Sequence, residues 1–434
     1  MFLTRFSQKR FVQSIRRVPA RLRRSVSDYR FYAYLAILGP GIIAASSGNE
    51  ASGIATYSSA GAEYGYSLLW SFIPMTICFI VAQETCVRMG VVTGQGLADL
   101  IREQFGVRWT ALVMLALLVA NTGIIIAEFV GIAQAAELLG ISRYIAVPIT
   151  ALFVWWLVVR GTPKRVEQAF LLMSLVFLTY IISAFMAKPD WGAVAKELVT
   201  PSFRIDSAYL FTVVALIGTT ITPFMQVFVQ SSVVEKGLDK DDLPHARADA
   251  IIGVIFANVV AAFIVIASAA TLYSSGVELE DAADAALALA PAVGEYAVYL
   301  FAIGLFGASM LAMGVLPLAT AYSLSEALGF EKGLSRTFRE APIFLGIFSA
   351  LIVIGSVVAL IPGIPQIPLL ILTQCINGLL LPVIMIAIVK LANNEEIMGE
   401  HKNTLFLNIL AWSVTAVVSA LSLLLIGKTI VDMF

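Results

Sequence analysis

Long apolar stretches alternate with short polar connections along most of the chain. Each stretch has the roughly 20 residues that an α-helix needs to cross about 30 Å of hydrocarbon. The pattern therefore predicts an all-α polytopic membrane protein. Its eleven predicted transmembrane spans lie at approximately 34–61, 67–89, 109–136, 143–160, 166–187, 208–233, 248–274, 296–327, 342–361, 366–391 and 404–428.

Two of these spans, the first and the sixth, are interrupted at mid-depth by residues that helices in lipid normally exclude. The first has Glu50 among small residues, in the run Gly39-Pro40-Gly41-Ile42-Ile43-Ala44-Ala45-Ser46-Ser47-Gly48-Asn49-Glu50-Ala51-Ser52-Gly53. The sixth has Pro223 in the run Gly218-Thr219-Thr220-Ile221-Thr222-Pro223-Phe224-Met225-Gln226. Backbone groups released from a helix inside a membrane need other partners, and their carbonyls can become ligands where they line a polar cavity. This pair of discontinuous helices indicates a carrier.

Composition supports a membrane protein independently of any motif. Of the 434 residues, 59% are hydrophobic and only 13% are charged, and the mean hydropathy is +0.90. Such a chain leaves no room for a soluble domain of ordinary size. We expect the lipid bilayer as its surroundings, with no nucleic-acid partner and no obligate protein partner. The three cysteines have no CxxC spacing, and the chain has no HExxH motif or phosphate-binding loop, so we expect neither a cofactor nor an enzyme.

Lysine and arginine are distributed unevenly between the two sides of the membrane. With the N-terminus in the cytoplasm, most of the 28 fall in the basic tail at 1–30 or in cytoplasmic connections. The positive-inside rule therefore predicts a cytoplasmic N-terminus and an outside C-terminus, in a bacterial inner membrane. The tail lacks the apolar core of a secretory signal, so we expect it to be retained. The five basic residues left outside are Arg143, Lys188, Lys196, Arg204 and Lys428.

In this topology the two interrupted spans cross the membrane in opposite directions. That arrangement is typical of an inverted five-plus-five repeat, which holds its substrate at the midplane between discontinuous helices. The predicted organisation is a first repeat at 31–188, an inverted second repeat at 207–393 and an eleventh helix at 404–430.

Three stretches of the chain resemble the Nramp divalent-metal transporters, a family with the leucine-transporter fold. The residues from Gly39-Pro40-Gly41 to Gly65-Tyr66-Ser67-Leu68-Leu69-Trp70 are similar to that family's first helix and following loop. Arg88-Met89-Gly90-Val91-Val92-Thr93-Gly94 is similar to the segment after its second helix, and Ala127-Glu128-Phe129 to a signature in its third. The likeness extends from about residue 33 to 390, and it implies a secondary transporter of divalent cations.

The departures from the family pattern fall in the site itself. The family's Asp-Pro-Gly-Asn is replaced by Glu50-Ala51-Ser52-Gly53, and its Met-Pro-His by Thr222-Pro223-Phe224. A methionine thioether favours transition metals, whereas carboxylate, carbonyl and water oxygens suit Mg²⁺. Thr222 removes the soft atom, and Gly53 removes an amide ligand and its volume. We therefore expect a roomier site with oxygen ligands only.

Such a site suits a partly hydrated Mg²⁺, which binds through one or two carboxylates and keeps several waters. The pattern resembles the distant prokaryotic Nramp-related magnesium transporters, and the resemblance implies that Mn²⁺ is tolerated. We expect Ca²⁺ to be excluded. Glu50 is the predicted charged ligand or outer-sphere acceptor, and the family's motif adds the carbonyls of Ser47 and Thr219, the hydroxyl of Thr222 and the space at Gly53.

Other polar residues have two interpretations each. Glu50 can also cap the half-helix that begins near Ser52, because negative charge is favourable at a helix N-terminus. The hydroxyls of Thr219, Thr220 and Thr222 can bond back to the preceding turn. Four side chains are candidates either for the ion's second shell or for ordinary hydrogen bonding to backbone and neighbouring helices: Asn49, Gln226, Gln374 and Asn377.

Two titratable groups expected in a proton-coupled member of the family are missing. Phe224 stands at the position of a histidine and Ile125 at that of an aspartate, three residues before Glu128. Because a proton route needs titratable groups in sequence, we expect metal entry without proton coupling. A second buried carboxylate, Glu84, is expected to be a structural tie. The alternatives are a proton-coupled Mn²⁺/Fe²⁺ transporter of the Nramp type and an organic-cation carrier of the same fold.

Overall fold

The computed structural model describes residues 39–273, 296–361 and 366–432, and every regular element in those ranges is helical. The basic tail at 1–30 lies outside the described residues. The α-helices are α1 (Pro40–Ser46), α2 (Ala51–Tyr64), α3 (Phe72–Thr93), α4 (Leu97–Phe105), α5 (Val107–Leu138), α6 (Arg143–Arg160), α7 (Pro163–Ser174), α8 (Leu178–Met186), α9 (Trp191–Val199), α10 (Ser207–Thr220), α11 (Pro223–Lys236), α12 (Leu243–Ser268), α13 (Tyr296–Leu328), α14 (Pro342–Ala359), α15 (Gln366–Asn393), α16 (Glu395–Met398) and α17 (Leu405–Asp432).

Ten helical segments of the described residues are long and apolar enough to cross a membrane. They correspond to predicted spans two to eleven. The first predicted span is divided by its break into α1, of seven residues, and α2, of fourteen, and neither is long enough by itself. The protein is therefore a multi-pass membrane protein, with helical segments at ten of the eleven predicted spans.

Burial separates central helices from peripheral ones. The most apolar stretch within Ser207–Lys236, which contains α10 and α11, is 100% buried, whereas that within Leu405–Val431 is only 33% buried. Large apolar side chains such as Val119 on α5 and Leu152 on α6 remain about two-thirds exposed, as lipid contact requires. The interrupted sixth span thus lies at the centre of the helix bundle.

Each interruption has a local cause in the sequence. After α1, Ser47–Asn49 form a single 3₁₀ turn and Glu50 is extended, with φ −64° and ψ 177°. After α10, Ile221 leaves the helical region at φ −125° and ψ 56°, and α11 begins at Pro223, which has no N–H to donate. Both breaks occur where predicted.

The start of α1 is fixed to α12. The carboxylate of Asp249 accepts hydrogen bonds from the amides of Gly39 at 3.0 Å and Gly41 at 2.6 Å. The two helices also touch backbone to backbone, because a Cβ atom built on Gly253 would lie 2.7 Å from the carbonyl oxygen of Gly41. Only glycine permits so close an approach.

The predicted structural tie at Glu84 is present. Its carboxylate pairs with Arg88 on the same helix at 3.1 Å and with Arg247 of α12 at 2.7 Å. Arg88, almost fully buried, also donates to the carbonyl of His401 at 2.5 Å and to the side chain of Asn403 at 2.6 Å. The network joins α3 and α12 to the segment that precedes α17.

Candidate metal site between the two helix breaks

The two breaks lie against each other in the centre of the bundle. The hydroxyl of Thr219, in the last turn of α10, donates to the carbonyl oxygen of Gly48, in the 3₁₀ turn after α1, at 3.2 Å. The carbonyl oxygen of Thr219 would be 3.1 Å from a Cβ atom built on Gly48. Residues 171 positions apart are thus brought into contact by their unwound backbones.

Glu50 stands in this contact region with its side chain fully buried. One carboxylate oxygen, Oε1, accepts a hydrogen bond from the side-chain amide of Gln374 on α15 at 2.7 Å. The other, Oε2, has no hydrogen-bond partner in the described part of the protein. Among the ion pairs of the described residues, none includes Glu50. A buried carboxylate oxygen without a partner is a strong candidate for holding a cation.

The cap of α2 is provided by Glu128 rather than by Glu50. The Glu128 carboxylate, on α5, accepts from the amide of Ala51 at 3.0 Å and from the amide and hydroxyl of Ser52 at 3.2 Å each. Glu50 makes no side-chain capping hydrogen bond, so the capping interpretation of Glu50 is wrong. The amides at a helix N-terminus have no partner inside the helix, and a carboxylate there also meets the favourable end of the helix dipole.

This arrangement places two buried carboxylates at one helix break. Glu128 is occupied by three donors, whereas Glu50 keeps one oxygen unpaired. The two carboxylates repel one another. A divalent cation beside Glu50 would offset that repulsion, which is the electrostatic basis for a metal site here.

The break between α10 and α11 releases one carbonyl in particular. The carbonyl of Thr219 would normally accept from the amide four residues later, but that residue is Pro223. The hydroxyl of Thr222 takes the place of the missing amide, donating to the Thr219 carbonyl at 3.0 Å and to the Gly218 carbonyl at 2.8 Å. The back-bonding interpretation therefore applies to Thr222. Since a carbonyl oxygen has two lone pairs, that of Thr219 keeps one for a ligand.

The space expected at Gly53 is not there. A Cβ atom built on Gly53 would lie 2.4 Å from the carbonyl oxygen of Gly48 and 2.8 Å from the hydroxyl of Thr219. The space that a side chain would take is filled by α10 and by the 3₁₀ turn of the first break, which folds over Gly53. Gly53 thus permits close packing of the two breaks instead of enlarging the site.

The remaining predicted residues divide into those near Glu50 and those directed elsewhere. The Asn49 amide donates to the carbonyl of Ala257 on α12 at 3.0 Å, and the Ser47 hydroxyl donates to the carbonyl of Ala44 at 2.7 Å.

The Asn377 amide donates to the carbonyl of Thr373 at 3.0 Å, and the side-chain oxygen of Asn377 is unpaired among the described residues. Of the four second-shell candidates, only Gln374 bonds to Glu50. Both side-chain polar atoms of Gln226 are buried without a partner, so it makes no hydrogen bond to Glu50.

The two positions that depart from a proton-coupled pattern are packed as apolar core. Phe224 and Ile125 are both fully buried. Ile125 lies against α14, where a Cβ atom built on Gly355 would be 2.7 Å from its side chain. Helix α14, Pro342–Ala359, has no ionisable residue. The α14 side of the contact with α5 therefore offers no titratable group.

Two residues at the breaks were not identified from the sequence. Met225, fully buried, packs its thioether against Gly48, with the Sδ atom 3.5 Å from the Cβ position of that glycine. The hydroxyl of Tyr57 lies 3.1 Å from that of Thr220, linking α2 to the end of α10. Tyr57 could have been identified from the sequence, because it lies two helical turns after Glu50. Nothing in the sequence shows where the Met225 side chain points.

A cavity of about 360 Å³ lies between α2, α10, α15 and α17. Along α2 its polar lining is formed by Thr56, Ser59 and Glu63, which share one face of the helix that begins beside Glu50. Among the described residues, no three His, Cys, Asp or Glu side chains come together as a metal-binding group. An ion at Glu50 would therefore depend on neutral oxygens, from carbonyls, hydroxyls, amides or water, for most of its ligands.

Comparison with known proteins agrees with this geometry. The family model described as Natural resistance-associated macrophage protein-like, or Nramp, matches residues 41–428. The divalent metal cation transporter MntH of Deinococcus radiodurans is 26% identical over 424 residues, covering 94% of this chain and 93% of that protein.

Solved structures share the fold at lower sequence identity. A manganese transporter of Eremococcus coleocola has a TM-score of 0.74 at 20% identity, covering 91% of this chain and 86% of that one. MhsT, crystallised with L-phenylalanine, has a TM-score of 0.59 at 12% identity, covering 89% of this chain and 98% of that one. The predicted leucine-transporter-like fold is thereby confirmed.

The exchange Thr222→Val tests the role of the hydroxyl at the second break. We expect the free energy of unfolding of the metal-free protein to fall by about 1–3 kcal/mol, because the buried Thr219 carbonyl loses the donor that replaces a peptide amide. Thermal unfolding of the purified protein in detergent measures the change. Thr222→Ser, which keeps the hydroxyl, is the control. A loss of stability in Thr222→Ser but not in Thr222→Val would show that the methyl group, which valine keeps, and not the hydrogen bond stabilises the break.

Proposed function

Because the chain belongs to the Nramp family, we propose that it is a secondary transporter that takes up divalent metal cations, with Mg²⁺ as its main substrate. The ion binds partly hydrated at the midplane, between the two helix breaks, and crosses by alternating access. Mn²⁺ is tolerated and Ca²⁺ is excluded. Transport follows the electrochemical gradient of the ion without coupling to protons.

The observation that carries this proposal is the unpaired Oε2 atom of Glu50. A charged oxygen inside a membrane protein is costly unless a cation or a set of donors meets it. Among the described residues, the only donor to the side chain is Gln374, at the other oxygen. A divalent cation placed at Oε2 supplies the missing partner and reduces the repulsion from Glu128.

The polar groups near Glu50 offer oxygen atoms as ligands for the ion. The Thr219 carbonyl has a spare lone pair, the Thr222 hydroxyl can accept while it donates, and the side-chain oxygens of Gln374 and Asn377 are buried and unpaired. The Ser47 carbonyl completes the proposed set from the first break. One carboxylate with neutral oxygens and retained water is the usual ligand set of Mg²⁺.

Close packing at Gly53 bears on selectivity among hard cations. Ca²⁺ takes six to eight oxygen ligands at about 2.3–2.6 Å, in a flexible shell. Here the Gly48 carbonyl and Thr219 hydroxyl fill the position of the missing Gly53 side chain. The site can therefore admit an ion that keeps its waters on one side more readily than one that needs many protein ligands. This packing, rather than added space, is our basis for excluding Ca²⁺.

A Mn²⁺ transporter is the second candidate, and Met225 is the observation that favours it. Its thioether lies against Gly48, two residues from Glu50, and thioethers suit transition metals. The relatives named above are also a divalent metal cation transporter and a manganese transporter. We rank Mg²⁺ first because the atoms that form hydrogen bonds with the Thr219 and Glu50 groups at the breaks are oxygen and nitrogen.

The lack of proton coupling is inferred from the groups around the site. Phe224 and Ile125 are buried apolar residues, and α14 has no ionisable side chain with which to continue a proton route. Glu128 is the one nearby carboxylate on α5, and three hydrogen bonds commit it to the α2 cap. Protonation of Glu128 would weaken that cap, so its structural role opposes a role as proton carrier.

We further propose the orientation given by the positive-inside rule, with the N-terminus in the cytoplasm and the C-terminus outside, in the inner membrane of a bacterium. The two inverted repeats correspond to 31–188 and 207–393, and the eleventh helix to 404–430. In this orientation the cavity beside Glu63 faces outside. It would lead along α2 towards Glu50.

Glu50→Gln tests the metal site itself. The variant removes the charge and keeps the shape, so we expect Mg²⁺ to lose its stabilising effect on thermal unfolding and uptake into proteoliposomes to fall roughly 10- to 100-fold. Glu137→Gln is the control, because Glu137 forms a partly exposed ion pair with Arg143 away from the breaks. Undiminished Mg²⁺ binding and uptake in Glu50→Gln would refute the proposed site.

Met225→Leu distinguishes magnesium from manganese as the substrate for which the site is built. Leucine nearly conserves the volume and removes the sulfur. If oxygen ligands alone hold the ion, the ratio of Mg²⁺ uptake to Mn²⁺ uptake stays at the wild-type value. A selective loss of Mn²⁺ uptake would instead make Met225 a ligand and favour the manganese transporter. Met89→Leu, at a fully buried position on α3, controls for general effects of the exchange.

Coupling is tested by measuring metal entry and internal pH in the same proteoliposomes. With a pH-sensitive dye trapped inside, we expect Mg²⁺ to enter without acidification, because no proton route accompanies the ion. A proton ionophore added at the end verifies that the dye responds. Acidification in step with metal entry would overturn the uncoupled mechanism.

A further inference from the structure

Helix α11 has two buried glutamines that the central site does not use. Gln226 and Gln230 lie one helical turn apart, and both side chains are fully buried. Three of their four polar side-chain atoms have no hydrogen-bond partner within residues 39–273, 296–361 and 366–432: both atoms of Gln226 and the oxygen of Gln230. The fourth, the amide of Gln230, donates to the carbonyl of Gln95 at 3.0 Å.

Poor packing of the helix as a whole does not explain these unpaired atoms. On another face of α11, Ser231 donates to Glu326 of α13 at 2.7 Å, and Glu235 is paired with Tyr322 of the same helix. The unpaired atoms are confined to the face of Gln226 and Gln230. Since buried amides without partners are costly, and leucine would fit an apolar interior better, their presence indicates an intermittent polar partner.

This face runs from the central site towards the far end of α11. Thr222, Gln226 and Gln230 follow at four-residue intervals, so they form one stripe about 12 Å long, at 1.5 Å per residue. The stripe ends where Gln230 meets α3, because a Cβ atom built on Gly90 would be 3.2 Å from the Gln230 Cγ atom. Beyond it lies Gln95, in the link between α3 and α4. Away from the cavity beside Glu63, the stripe thus leads to the opposite end of the broken span.

We propose that Gln226 and Gln230 form a second, weaker binding site for the hydrated cation, which we call the station. The ion occupies the station after it leaves Glu50. The inference rests on the proposed function. The side-chain oxygens accept hydrogen bonds from water molecules bound to the ion, and the free amide of Gln226 binds further water. Neither residue is charged, so the ion is held weakly and released, as passage through successive sites requires. Separation of α11 from α3 opens the station to the ion.

The test compares Gln226→Leu and Gln230→Leu with wild type, Glu50→Gln and Ser231→Ala, each as full-length protein. The readouts are metal-free thermal stability, the Mg²⁺ concentration for half-maximal stabilisation, and the rate of Mg²⁺ uptake into proteoliposomes. We expect both leucine variants to unfold at or above the wild-type temperature and to keep the wild-type Mg²⁺ midpoint. Their uptake rate should fall roughly tenfold, because a solvating contact on the route is lost. Ser231→Ala should transport normally.

Three other outcomes would each contradict the proposal. Undiminished uptake in both leucine variants would show that the two glutamines are not a station on the route. A shifted Mg²⁺ midpoint, as expected for Glu50→Gln, makes the glutamines part of the central site. Lower metal-free stability makes them structural. If the leucine variants behave as predicted with Mn²⁺ but wild type does not take up Mg²⁺, the station stands and the Mg²⁺ preference fails.

Cysteine accessibility gives an independent readout. In a background with Cys78, Cys86 and Cys375 replaced by alanine, Gln226→Cys and Gln230→Cys should react with a membrane-impermeant thiol reagent during transport. Saturating Mg²⁺ should slow the reaction. Phe228→Cys is the matched control, because this buried residue is two positions from each glutamine and so lies about 200° around the helix. Equal reactivity at all three positions would contradict a passage along the glutamine face.

Discussion

The structure depends on one constraint: backbone groups freed inside a lipid bilayer must find partners within the protein. Each break frees a different kind of group. The first leaves the amides at the start of α2 without acceptors, and Glu128 accepts from two of them. The second leaves the carbonyl of Thr219 without a peptide donor, and the hydroxyl of Thr222 supplies one. These freed groups thereby have partners inside the protein, and the two breaks lie against each other in the middle of the bundle.

The choice of Glu128 as the cap determines what Glu50 can do. If Glu50 capped α2, its carboxylate would be occupied, and the centre would have no anionic oxygen to offer. Because a residue of α5 performs that task, Glu50 accepts a hydrogen bond from Gln374 alone among the described residues and keeps one oxygen available. Helix capping and the proposed ion binding are thus assigned to two carboxylates from different parts of the chain, and neither function competes with the other.

Much of the architecture was predictable from the sequence because its causes are local. The length of each apolar stretch predicts a span. Glu50 and Pro223 predict the breaks, since a carboxylate in mid-span and a missing backbone amide each interrupt the helix in which they lie. The cap was not predictable, because it depends on α5 passing beside α2, 77 residues away in the chain. The error at Gly53 has a similar origin. A missing side chain predicts space, but the turn at Gly48 folds over that position.

The attachment of α1 to α12 has a mechanical consequence. Asp249 holds the first amides of α1, and the glycine contact brings the two backbones together, so this short helix is rigidly joined to a long neighbour at one end. Its other end runs into three residues in a single 3₁₀ turn. Any rocking of α1 must carry α12 along or break both hydrogen bonds to Asp249, and the bending is then concentrated at Ser47–Asn49, the natural hinge beside Glu50.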